Sequence, residues 1–238
     1  MCGRYAITTV PEALRALFRY LDHPNFPPRY NVAPTQPVPI VRMFEGKRQF
    51  ALVRWGLIPS WVKDPRGFSL LINARGESAL EKPAFRNAMK RRRCLFPADG
   101  FYEWKREGTV RQPFLIGRSD GMPLTLAGLW AGWRDPATER VVRTFTIVTS
   151  RPNDQMADLH DRMPVVVPEE IWPLWLDPLA DTSELRAVLE PNDDTPLRIQ
   201  PVSRLVNDVR NDGPELIEPM AAEPPGHGPA VAARGFFD

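Results

Sequence analysis

Three times along this chain a strand-like run is followed, after a short polar break, by a second one. The runs 38–43 and 50–57 flank Glu45-Gly46, and the runs 101–104 and 114–116 flank a turn around Glu107-Gly108. The runs 124–130 and 142–149 are separated by a polar stretch that contains Asp135-Pro136. Runs at this spacing read as hairpins, and successive hairpins build an antiparallel sheet that curls or closes. They do not alternate regularly with long helices, which disfavours a doubly wound parallel fold. The 27 prolines are about twice the usual share and imply many rigid loops.

The helices this pattern leaves room for are short. Over 11–21, Leu14, Leu17, Phe18 and Leu21 recur at i, i+3, i+4 and i+7, with Pro11 in the first turn. A second helix opens at Pro83 and carries Phe85, Ala88 and Met89. A third starts near Pro168 with Ile171, Trp172 and Trp175, and Pro173 should shorten or kink it. A fourth covers 183–189 with Thr182 as its cap. The expected class is α+β: a single β-rich domain over 1–222, with a curved, mostly antiparallel sheet or barrel and short peripheral helices. Residues 223–238, rich in Pro, Gly and Ala, read as a disordered tail that takes His227 with it.

A chain of 238 residues is long enough to bury a substantial core. No apolar run reaches the ~18–20 residues of a membrane span, and the N-terminus lacks the pattern of a signal peptide. Two cysteines, Cys2 and Cys94, cannot make a disulfide framework, and with only three histidines they make no zinc cluster. No metal or cofactor is expected, and a reducing, cytoplasmic, monomeric setting fits best. A net charge of +2 means that a nucleic-acid partner would have to be met by a local basic patch.

Cys2 follows Met1 directly. Once Met1 is removed, one residue carries an α-amine and a thiol. The amine has a pKa of about 7.7–8.0 against about 10.4 for lysine, so near neutrality it supplies a few hundred-fold more of the nucleophilic form. It can condense with an aldehyde to an imine, and the thiol can close onto the imine carbon as a thiazolidine. Cys94 reads as a small buried hydrophobe.

Other segments carry chemistry by residue type. Asn73 and Arg75 share a face after the apolar 70–72 run; Asn can orient a reacting group and Arg can hold a phosphate, or the stretch is a capped turn with a surface ion pair. Glu103 lies between Tyr102 and Trp104, where apolar rings raise a carboxyl pKa and suit it to proton transfer. Alternatively it is an exposed strand residue. His160, in Leu159-His160-Asp161-Arg162-Met163-Pro164, could be a general acid or base, with Arg162 a phosphate clamp. Trp55 and Trp61 frame a rigid turn and serve either core packing or base stacking. Lys90-Arg91-Arg92-Arg93 is either a solvated helix end or a contact to a nucleic-acid backbone.

As an ordered set these segments are specific. Met-Cys-Gly-Arg-Tyr, Tyr-Asn-Val-Ala-Pro-Thr-Gln, Trp-Gly-Leu-Ile-Pro-Ser-Trp, Asn-Ala-Arg-Gly-Glu, Pro-Ala-Asp-Gly-Phe-Tyr-Glu-Trp and His-Asp-Arg-Met-Pro occur in that order from Met1 to about Leu216. The chain resembles the SOS response-associated peptidase family, whose members shield abasic sites in single-stranded DNA by a covalent DNA–protein crosslink. The resemblance implies that Cys2 forms the crosslink, that Asn73 orients the sugar, that Glu103 shuttles protons and that His160 assists sugar opening and reversal. It implies that Arg4, Arg75 and Arg162 line a phosphate groove, that Asn31 and Pro34 sit in a loop that wedges at the lesion, and that Trp61 and Trp104 stack near it. The family name also implies peptidase activity, either self-removal of Met1 or cleavage of other proteins.

Overall fold

The computed structural model describes residues 2–191 and 193–220. The expected tail over 223–238 lies outside the described residues. Twelve strands are formed by β1 (Tyr5–Ile7), β2 (Arg29–Val32), β3 (Pro37–Phe44), β4 (Lys47–Trp55), β5 (Asn73–Arg75), β6 (Arg93–Ala98), β7 (Gly100–Glu107), β8 (Val110–Arg118), β9 (Leu124–Arg134), β10 (Val141–Ser150), β11 (Met163–Pro164) and β12 (Leu197–Pro201). The helices are α1 (Pro11–Phe18), α2 (Gly76–Ala79), α3 (Arg86–Arg91), α4 (Trp172–Leu176) and α5 (Thr182–Val188).

The three expected hairpins form as β3–β4, β7–β8 and β9–β10. The first turns at Glu45 and Gly46, both at positive φ (49° and 73°), the backbone of a two-residue turn whose twist matches the flanking strands. The strands form two sheets. One is antiparallel throughout, in the order β12-β8-β7-β1-β2. In the other, β10-β4-β3-β6-β9 closes on itself because β9 also pairs with β10. This is a five-stranded barrel, and β5 and β11 extend the pairing of β10 beyond it. The pairings of β10 with β4 and with β5 are parallel. Both join segments distant in sequence, so no hairpin turn dictates their direction. No helix among the described residues is long and apolar enough to cross a membrane.

Inside the barrel Gly128 faces Cys94 and Phe145, and an added Cβ there would overlap the Phe145 ring, so the site needs glycine. Phe96 packs on Phe145 at 5.0 Å and takes the edge of Tyr5 at 4.6 Å. Tyr5 also meets Trp55 edge-on at 5.8 Å. Tyr5 therefore carries β1 from the first sheet into the barrel core. Burial of each such ring contributes roughly 1.5–3 kcal/mol, which fixes the start of the chain to the barrel. On the opposite face of β1, Ala6 packs with Tyr102, Leu115, Val202, Val206 and Leu216.

The helices depart from the sequence pattern in detail. α1 stops at Phe18, because Arg19 turns left-handed (φ 56°); Leu21 is left 72% exposed and is not part of the buried stripe. In the third helical region a 3-10 turn (Glu169–Ile171) precedes α4. Pro173 sits in the first turn of α4, where its missing N–H costs nothing, so it starts the helix instead of kinking it. The cap of α5 is Asp181, which accepts from the Ser183 N–H at 2.7 Å; Thr182 is already helical.

Candidate active site

The register of β1 against β7 builds the site. Tyr5 faces Phe101 and Ala6 faces Gly100, so continuing the ladder sets Gly3 opposite Glu103, with Cys2 one residue beyond. Asp99 fixes the other end of β1. It accepts from the Thr8 and Thr9 N–H groups, the latter at 2.7 Å, and from both hydroxyls, at 2.8 and 2.5 Å.

Cys2 is fully buried (0%). Its Sγ donates weakly to the Arg4 carbonyl at 3.8 Å. Burial, reinforced by the Glu103 charge, pushes its thiol far above the ordinary range, so the sulfur is held as S–H and not as thiolate. Asn73, the first residue of β5, donates from Nδ2 to the Cys2 carbonyl at 2.9 Å. Its Oδ1 is buried with no hydrogen-bond partner among the described residues.

Glu103 is 2% exposed. Burial raises its pKa, the largest influence on it, and a charge on His160 when that ring is protonated would draw it partly back. Its Oε2 lies 3.7 Å from His160 Nε2. His160 belongs to the loop that links β10 to β11. Its Nδ1 is 2.9 Å from the Arg162 N–H and also 2.9 Å from Asp161 Oδ1. One nitrogen cannot serve both, since the first contact needs a lone pair and the second a proton. The backbone donor is fixed, whereas the Asp161 side chain is 88% exposed and free to turn into water. Nδ1 is therefore the acceptor, and Nε2 carries the proton toward Glu103.

The groups expected at a DNA strand are placed in different ways. Arg75 is exposed, one step along the Asn73 face of β5. Trp61 is 55% exposed and edge-on to Phe68, while Trp55 is core and donates to the Ile72 carbonyl. Pro34 is half-buried in a turn where Thr35 has φ 74°. Arg4 donates to Asn31 Oδ1 (2.7 Å), the Val206 carbonyl (2.8 Å) and the Asn207 carbonyl (3.3 Å). Asn31 is fully buried, and its Nδ2 lies within reach of the carbonyls of Val206, Asp208 and Asn211. Trp104 is half-buried, and its indole N–H is held by Asn207 Oδ1 at 2.7 Å. Arg162 is buried, in a two-pronged pair with Glu77 and bonded to the Thr149 carbonyl at 2.6 Å.

Cys2, Asn73, Glu103 and His160 are thus gathered from four separate elements. Arg4, Asn31 and Trp104 are tied together by the segment 206–211, and Arg162 stands behind His160. Asp99, Glu77 and Asn207 support these residues, and none of them was singled out from the sequence. Among the described residues no cluster of three His, Cys, Asp or Glu side chains could hold a metal.

A buried cysteine at the start of a strand, flanked by an amide, a carboxyl and an imidazole, defines a class of site built around the N-terminal region itself. The model of the SOS response associated peptidase (SRAP) family matches residues 1–209, and the chain belongs to that family. It is similar to the abasic site processing protein YoqW of Bacillus subtilis (strain 168), with 38% identity over 223 residues, 92% of this chain and 99% of the relative. It is likewise similar to the abasic site processing protein YoaM of the same organism, with 35% identity over 223 residues, 92% of this chain and 98% of the relative. A crystal structure of a protein from Bacteroides thetaiotaomicron shares the fold, with a TM-score of 0.83 at 24% identity, covering 92% of this chain and all of that one.

Proposed function

We propose that this chain shields abasic sites in single-stranded DNA by a reversible covalent crosslink through Cys2 once Met1 is gone. The observation that carries the reading is the convergence of Asn73, Glu103 and His160 on a buried Cys2. The family and the names of its relatives, abasic site processing proteins, agree with it.

The chemistry follows from the groups present. The neutral α-amine of Cys2 adds to the aldehyde carbon of the ring-opened deoxyribose, forming a C–N bond as the carbonyl π pair moves onto oxygen, and a proton passes from the nitrogen to that oxygen to give a hydroxyl. Glu103, whose carboxyl pKa is raised by burial, is the group placed to give a proton to the hydroxyl that leaves as water. The Cys2 sulfur then bonds to the iminium carbon. Its proton passes to the Glu103 carboxylate, and the nitrogen recovers the electron pair. The sum is aldehyde plus aminothiol giving thiazolidine plus water. Asn73 holds the Cys2 carbonyl and so the orientation of the amine. His160, with its Nε2 proton facing Glu103, serves sugar opening and the return path. Because burial keeps the thiol protonated, a preformed thiolate is disfavoured, which argues against peptide cleavage in trans as the main activity.

Mature protein incubated with abasic single-stranded DNA should give an adduct that survives denaturation, with a mass equal to the sum less one water. Cys2→Ala should abolish it, and protein retaining Met1 should form none. An adduct of equal yield in either form rules the mechanism out.

A further inference from the structure

The barrel has a second end, away from Cys2. Arg42 pairs with both Gln49 and Cys94, Cys94 with Gly128, and Gly128 with Ile147. Directly paired residues share a face, and here that face is the inside, where Cys94, Phe145 and Ile147 are fully buried. Alternation by two places Phe44, Trp130 and Arg143 on the same face, at the end where β3 finishes and β10 begins. Thr149, beside the site, is six residues along β10 from Arg143, or roughly 20 Å at the strand rise.

This end is cationic and aromatic. The Arg42 guanidinium stacks over Trp130 at 4.5 Å and Phe44 at 5.2 Å, and its N–H groups bond Gln49 Oε1 at 2.8 and 3.2 Å. Arg92 lies over Trp130 at 5.7 Å. Arg143 is near enough to add to the effect of burial on Arg42. Lys90, Arg91, Arg92 and Arg143 are exposed. Among the described residues none of these five cations makes an ion pair, and Asp22 is the carboxylate with a favourable influence on Arg42. The basic run is not a uniformly solvated helix end. Arg93 is buried and bonded to the carbonyls of Trp175, Met89, Lys90 and Asp177, which anchors the turn that presents Arg92.

We propose that this end of the barrel is a second contact for a nucleic-acid backbone, independent of sequence and lesion, in which Arg92 and Arg143 take phosphates. Like charges gathered without carboxylate partners repel one another, and a bound polyanion relieves that cost. Arg92, over the Trp130 ring, keeps its in-plane donors available for phosphate oxygens, and Arg143 is exposed beside it at the same end. The choice of DNA as the polyanion rests on the function proposed above; the site itself does not involve Cys2.

The test compares undamaged single strands of about eight and about forty nucleotides, the shorter lying within the ~4–16 that one single-strand site covers. For wild type, affinity for the long strand should fall more steeply with salt than affinity for the short one. In R92E/R143E the long-strand slope should drop by roughly 0.7 per lost phosphate contact. Between 50 and 200 mM salt the variant should then lose roughly sevenfold less affinity than wild type. Its crosslinking of a short abasic strand should be unchanged. Equal salt slopes in wild type and variant overturn the proposal, as would follow if the surface were made for an acidic protein. Absence of any adduct between wild type and the short abasic strand instead counts against the function proposed above and leaves the salt comparison standing.

Discussion

Asn73 Nδ2 donates to the carbonyl oxygen of Cys2 across 2.9 Å, tying β5 to the segment that leads into β1 of the other sheet. This bond sets the plane of the peptide that follows Cys2, the residue proposed to react, while Asn73 Oδ1 is buried without a hydrogen-bond partner among the described residues. Asn73→Ala should therefore slow crosslinking by about 10²-fold, the scale of a misplaced reacting group, and leave binding of undamaged DNA within about twofold. Single-turnover rates set beside binding isotherms separate the two; parallel loss of both would make Asn73 a fold residue only.

Glu103→Gln keeps the shape of the side chain and removes the transferable proton. Crosslinking should fall by about 10²–10⁴-fold, as expected for a lost general acid–base group, and its pH dependence should flatten. A rate–pH series on both proteins reads this out.

The same substitution has a signature in stability. Burial raises the Glu103 pKa in the folded state, so over the window between the ordinary carboxylate value and the raised one the folded protein binds more protons than the unfolded one. Wild-type stability falls as pH rises through that window and levels off above it. Glu103→Gln should melt higher than wild type at neutral and alkaline pH, with the gap closing toward ordinary carboxylate pH. A gap independent of pH would show that the gain has another source.

Cys2→Ser retains the α-amine and loses the thiol. It should form an imine that borohydride traps, and no lasting adduct without the reductant. A stable unreduced serine adduct would remove ring closure as the source of persistence.

Glu77→Ala leaves the buried Arg162 guanidinium with Thr149 as its remaining partner. The expected loss is roughly 1–3 kcal/mol, measured by urea unfolding. Because the Arg162 N–H holds His160 Nδ1, the variant should also shift the pH profile of crosslink reversal. Arg162→Lys, with Glu77 in place, should shift the profile as well, since an ammonium cannot make the two-pronged contact with that carboxylate.

Much of the barrel was legible because its signals are local. Alternation by two and a Glu45-Gly46 turn specify a hairpin without reference to the rest of the chain. The parallel pairing of β10 with β4 and β5 left no mark, since alternation along a strand tells which side chains are buried and not which distant strand lies beside it or in which direction that strand runs. The left-handed turn at Arg19 was equally silent: nothing in the residue type requires it. Of the site, Cys2 was legible from its chemistry, while its partners were recognisable by resemblance and by residue type. Asn31 and Arg162 were expected to face DNA, and both have their polar groups largely taken up within the protein. Their partners are mostly backbone carbonyls and one distant carboxylate, and a carbonyl has no letter in a sequence. Asp99 and Asn207 find their side-chain partners about ninety and one hundred residues away, a distance over which the sequence carries no pairing signal.

β10 is paired on both sides along most of its length, by β9, β4, β5 and β11 in turn. Asn73 is bonded to it through β5, and His160 is carried by the loop it begins. Amides at Ile147, Val148 and Thr149 should then be among the last to exchange with deuterium, at a rate that tracks global unfolding and not local fluctuation. Two of the groups around Cys2 are in this sense attached to the slowest-breathing strand of the molecule, and the site inherits its rigidity.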